Sequence, residues 1–109
     1  MNKFLLVIAF ALSATSVNAE YLVKGATIIE VSNTAGNNDL FYVRVSGGDG
    51  RCANSQIRFP MGEAGSEKIF DRAFSIALAG YASGSKVEIY DYNENSTDCN
   101  GAESIRLVK

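Results

Sequence analysis

Histidine is absent from this 109-residue chain, and that omission removes most familiar catalytic arrangements. No Ser-His-Asp or Cys-His set forms without an imidazole, and histidine-based zinc sites fall with them. Two cysteines, Cys52 and Cys99, remain for chemistry, together with scattered carboxylates, five tyrosines and the amides of two polar stretches.

Acids such as Asp39, Asp71, Glu88 and Asp91 in principle supply the paired carboxylates of a glycosidase. Charged side chains usually stand in solvent, however, and a small barrel has little interior in which to shift a carboxyl pKa. A carboxylate-based hydrolase is therefore only a third reading. The run Asp91-x-Asn93-x-Asn95 begins as a calcium loop does, with oxygen donors at alternate positions. It then departs from the pattern: Ser96 stands where the sharp turn needs glycine, and Glu103 falls one place beyond the bidentate acid. No metal and no cofactor is expected. Asn95-Ser96-Thr97 spells a glycosylation sequon, read here as coincidence.

Recognition chemistry has better material. Tyr42 and Arg44 alternate with apolar residues on one segment, as do Tyr90 and Tyr92 on another, so both sets are expected to point away from the core. Exposed tyrosines stack on sugar rings or anchor a protein partner, and they also cover sheets or pack oligomer interfaces. Asn37 and Asn38, in the polar stretch 33–39, and the amides of 93–101 suit hydroxyl recognition. The expected binding residues are thus Tyr42, Arg44, Tyr90, Tyr92, Asn37 and Asn38.

These residues need elements to hold them. A β-branched stretch over 22–32, with Thr27, Ile29 and Val31 at alternate positions, predicts a half-buried first strand, and Gly25 marks a bend or bulge in it. Phe41, Val43 and Val45 predict a second strand over 40–46, forming a hairpin with the first. Ile57 and Phe59 predict a short third strand closed by Pro60. The period then changes: pairs at Ile69/Phe70, Ala73/Phe74, Ala77/Leu78 and Tyr81/Ala82 predict a helix, capped by Ser66 and stopped by Gly84. Gly80 inside it predicts close backbone contact. Strands over 86–92 and 104–108 complete the chain, the first with Val87 and Ile89 on one face and the second with Ile105 and Leu107 apolar.

Five short strands with a helix between the third and fourth give the β-β-β-α-β-β order of an OB-like Greek-key barrel, a mostly β fold. An α+β antiparallel sheet with the helix packed on it is the alternative.

The first nineteen residues have the layout of a secretory signal: Lys3, an apolar run from Phe4 to Leu12, and the exit Val17-Asn18-Ala19. Cleavage before Glu20 leaves residues 20–109 as a single domain, with net charge near −3 after loss of Lys3. In an exported chain Cys52 and Cys99 are expected to form one disulfide, closing a loop worth about 4 kcal/mol on the chain-entropy model. The basic residues are scattered singly, so no nucleic-acid surface is expected, and no membrane insertion follows cleavage.

The segment Gly47-Gly48-Asp49-Gly50-Arg51-Cys52, the Ile57-x-Phe59-Pro60 strand, the helix Ala73-Phe74-x-x-Ala77-Leu78-x-x-Tyr81-Ala82-x-Gly84, the Val87-x-Ile89-Tyr90 strand and Cys99 resemble a family of small exported proteins of Gram-negative bacteria with no assigned function. The helix ending and the strand after it are also similar to the receptor-binding B subunits of AB5-type toxins. That second resemblance implies an OB-fold that closes into pentameric rings and binds cell-surface glycans.

The leading expectation is a non-enzymatic, exported binding module for a glycan or protein surface, as a possible homo-oligomer, in the periplasm or secreted. Its rival is a periplasmic structural, accessory or inhibitor-like protein acting by protein contact.

Overall fold

A thirteen-residue strand, β1 (Glu20–Ser32), organises the barrel. The computed structural model describes residues 20–33, 36, 39–93 and 96–109; the expected leader over 1–19, Asn37, Asn38 and Asn95 lie outside them. After β1 come β2 (Leu40–Ser46), β3 (Gln56–Pro60), a short α1 (Met61–Ala64), α2 (Glu67–Ser83), β4 (Lys86–Asp91) and β5 (Ser104–Val108). The sheet runs β3-β2-β1-β4-β5 with every neighbour antiparallel.

β1 reaches two partners because it bends. Residues 20–27 pair with β4 and residues 27–32 with β2, so Thr27 faces both Lys86 and Ser46. Register shifts between Tyr21 and Val23, Lys24 and Ala26, and Ile28 and Glu30 supply the curvature, as bulges do. Gly25, at φ +75°, lies in the second of them, where the sequence placed a bend. Two further bonds bridge the sheet's edges: the Arg58 N–H donates to the Cys99 carbonyl at 2.8 Å, and the Ala102 N–H to the Arg58 carbonyl at 3.0 Å. β3 is thereby tied to the segment entering β5, giving the partly open, OB-like barrel rather than a flat sheet.

The loop after β2 folds back along β1. Lys24 and Asp49 exchange backbone bonds at 2.8 and 2.9 Å, and the Cys52 N–H donates to the Leu22 carbonyl at 2.9 Å. Glycine is required for that approach: Gly50 sits at φ +122°, and a Cβ there meets the Leu22 carbonyl oxygen at 2.5 Å. The Cys52–Cys99 disulfide joins this loop to the β4–β5 connection.

The core fills with Leu22, Val23, Ile28, Phe41, Val43, Val45, Ile57, Phe59, Val87 and Ile89, all buried. Each such side chain contributes about 1.5–3 kcal/mol through burial. Phe41 stacks on Phe59 at 4.7 Å and meets Phe70 and Phe74 of α2 at 5.4 and 5.0 Å. α2 has the predicted ends, with the Ile69 N–H donating to Ser66 Oγ at 3.2 Å and Gly84 in the left-handed region. Gly80 lets it lie close to the barrel, since a Cβ there falls 2.9 Å from Leu107 Cδ2.

Three expectations need correction. Ile29 is 52% exposed, because the bulges of β1 shift its parity and turn Leu22, Val23, Ala26 and Ile28 inward instead. The helix stripe is narrower than its apolar pairs suggest: Phe70, Ala73, Phe74, Ala77 and Gly80 face the barrel, while Ile69, Leu78 and Tyr81 are exposed. Leu107 is 37% exposed although it lies against Gly80 of α2 and opposite buried Val87, because it stands near the end of the last strand in the sheet order. α1, a single turn after Pro60, is too short to announce itself by periodicity. Among the described residues no helix is long and apolar enough to cross a membrane.

Candidate functional site

β4 carries Val87 and Ile89 inward, and the same parity brings Asp91 to the inner rim of the barrel at 1% exposure. Its Oδ1 accepts the Asn93 N–H at 2.8 Å, an aspartate turn that starts the β4–β5 loop. Oδ2 accepts no hydrogen bond. Arg51 Nη2 stands 3.9 Å away, an ionic contact too long for hydrogen bonding. Arg51 is itself held, with Nε–H donating to the Asp98 carbonyl at 3.1 Å. Gly101 passes directly over the carboxylate, and a Cβ there lies 3.1 Å from Oδ2.

The loop folds upon itself with polar bonds. Asp98 Oδ1 accepts the Asn100 N–H at 3.0 Å and the Ser96 hydroxyl at 3.4 Å. Glu103, at the entry to β5, donates its N–H to the Tyr90 carbonyl at 2.9 Å and accepts the Tyr92 N–H on Oε1 at 3.1 Å. Burial raises the Glu103 carboxyl pKa; the Tyr92 N–H opposes that, and the Asp91 carboxyl, then Glu63, add to it. A cleft of about 320 Å³ opens here, lined by Glu63, Asp91, Asn93, Ser96, Thr97, Asp98, Asn100 and Gly101. Apart from Gly101, every lining side chain has hydrogen-bonding atoms. Among the described residues no three His, Cys, Asp or Glu side chains are grouped to hold a metal ion. A smaller groove of about 200 Å³, lined by Asn33, Phe41, Phe70, Asp71 and Phe74, runs along the seam between α2 and the barrel.

The expected tyrosines divide into two groups. Tyr90 and Tyr92 come together with rings 6.3 Å apart, and Tyr21 of β1 joins them 4.2 Å from Tyr90. Lys24 Nζ lies 4.0 Å from the Tyr21 ring centre and the Arg106 guanidinium 4.9 Å from that of Tyr90. Tyr92 is 55% exposed, but Tyr90 is only 6% exposed and is no open contact residue as expected: its neighbours' rings and Arg106 cover it. The Tyr21 hydroxyl, and then burial, push the Tyr90 pKa up to about 12. Tyr42 and Arg44 stand on β2, against the other half of β1. Tyr42 faces Ser32 and Arg58 across the ladder, and Arg44 donates to Glu30 at 3.4 Å and Gln56 at 3.2 Å. Asn37 and Asn38 fall outside the described residues.

Sequence reasoning passed over Tyr21 and Arg51 as parts of a site, and weighed Asp91 and Glu103 only as glycosidase or calcium-loop acids. A signal existed for Asp91, whose spacing from Val87 and Ile89 turns it inward. Fold and cleft together define the class: a small OB-type barrel whose β4–β5 loop is pinned by a disulfide around a polar hollow. The chain belongs to DUF5992, a family of unknown function whose model matches residues 2–109. No curated protein and no solved structure matches it.

Proposed function

We propose that this is an exported, non-enzymatic binding module, its leader removed before Glu20, that takes a hydroxyl-rich glycan unit in the β4–β5 cleft. The observation that carries the reading is the cleft itself: about 320 Å³, walled by amides, hydroxyls and carboxylates. Binding sites for small ligands begin at roughly 300 Å³. OB-folds commonly bind oligosaccharides and oligonucleotides at this loop, and the scattered basic residues argue against the latter. Export is supported by the leader's layout and by the disulfide, which suits an oxidising compartment. The partial likeness to toxin B subunits points toward glycans as well.

Glycan-array binding combined with light scattering and NMR mapping tests the reading. Specific sugar binding that perturbs the amides of 96–101, and that weakens in Asn100→Ala and Thr97→Ala, is the expected result; a protein blind to every glycan overturns it. The scattering mass reports whether the binding unit is an oligomer.

A second reading rests on a different observation. The Tyr21–Tyr90–Tyr92 cluster with Lys24 and Arg106 presents rigid aromatic surface beside cations, which suits protein contact by an accessory or inhibitor-like protein. Tyr92→Ala abolishes partner capture without touching sugar binding if that face is the one used.

A further inference from the structure

Asp91 is 1% exposed, yet its Oδ2 accepts no hydrogen bond. A carboxylate buried this deeply is costly unless donors or a counter-charge surround it. The groups that face it leave the balance negative. Arg51, from the loop after β2, stays 3.9 Å away and gives its Nε–H to the Asp98 carbonyl. Glu103 at the entry to β5, Glu63 of α1 and Asp98 of the cleft wall all add carboxylates. Among the described residues, Arg51 is thus the one guanidinium at ionic distance from Asp91, while several carboxylates line the same cleft.

The register of β1 on β4 brings a further nitrogen to this place. Glu20 is the cross-strand partner of Asp91. Partners in an antiparallel pair have Cα atoms about 4.5–5.5 Å apart, and a backbone nitrogen lies one bond from its Cα. Cleavage before Glu20 changes that nitrogen from an amide with one N–H to an ammonium with three, at a chain end free to turn toward a neighbour. We propose that Asp91 is the seat of the α-ammonium group released when the leader is removed, so that processing completes the cleft with a charge the precursor lacks. This rests on the export reading above. Hydrolysis of the Ala19–Glu20 peptide bond by a signal peptidase, with water as co-reactant, leaves the carboxylate on Ala19 and the amine on Glu20. In the same cleft burial, and after it the Asp91 and Glu63 carboxyls, raise the Glu103 pKa. In the processed chain the ammonium adds a second positive charge beside Arg51.

The test is export of the full chain from a bacterial host, intact-mass analysis of the recovered protein, and NMR titration of its terminal amine. The expected protein begins at Glu20, and its α-ammonium titrates about one unit or more above the ordinary range of about 7.7–8.0. In Asp91→Asn, which keeps an oxygen for the Asn93 N–H, the shift disappears. Should that variant not fold, a chain with one alanine inserted between Ala19 and Glu20, which carries the amine away from the cleft, must lose the shift instead. A recovered protein that begins elsewhere overturns the export reading and this inference together. One that begins at Glu20 with an ordinary α-amino titration overturns this inference alone.

Discussion

Two ion pairs on this barrel have opposite characters. Glu30 and Arg44 meet at 3.4 Å with both side chains more than two-fifths exposed, beside Gln56 and Ser32. Asp91 and Arg51 stand farther apart, at 3.9 Å, but the aspartate side chain is 2% exposed. Distance alone ranks the first pair higher; environment reverses the order. Water screens the exposed pair, whereas the buried carboxylate sits among a disulfide, a tightly packed glycine loop and other acids, where each displaced group is felt by the rest. Stability is therefore expected to be concentrated around the β4–β5 loop and thin across the outer face of β1, β2 and β3.

Removing the disulfide tests that contrast most severely. Cys52→Ala with Cys99→Ala is expected to lower unfolding free energy by about 2–5 kcal/mol in urea titrations, because the bridge closes a long loop and pins the cleft. Gly50→Ala comes next, at roughly 2–3 kcal/mol, since its Cβ meets the Leu22 carbonyl and its backbone lies at positive φ. Arg44→Ala should cost less than about 1 kcal/mol. If its effect in the same titration equals that of Gly50→Ala, the contrast between the two regions is wrong.

The smallest effect is in pH. Glu103 has a folded pKa raised above its ordinary 4.5, so its contribution to stability is fully present below that value and is lost as pH rises through the raised one. Urea midpoints are expected to fall across that window, and Glu103→Gln, unable to ionise, flattens the slope. An ammonium seated at Asp91 shrinks the same step, which links this measurement to processing of the leader.

Local signals made most of the fold legible. Phe41, Val43 and Val45 alternate along β2, Ser66 and Gly84 bracket α2, and Gly80 marks its close approach. β1 was misjudged in its facing because bulges are set by the partners on either side, which no window of residues around Ile29 contains. Tyr90 had the right parity and the wrong exposure for the same reason: Tyr21, far away in the chain, is laid against it by strand pairing. The cleft was half legible. The polar loop was singled out, but an acid reads as a surface residue until Arg51 is carried to it by the fold and the disulfide.

β1 is made first and finished last. Its edges receive β2, the loop carrying Asp49 and finally β4, so the strand emerges from any channel well before residues 86–91 arrive to pair with it. Through that interval an apolar strand offers unpaired amides and carbonyls to whatever chain lies nearby, the condition under which strands join the wrong neighbour. The interval before β4 arrives is thus the most vulnerable moment in the life of this domain, more so than any after the barrel has closed.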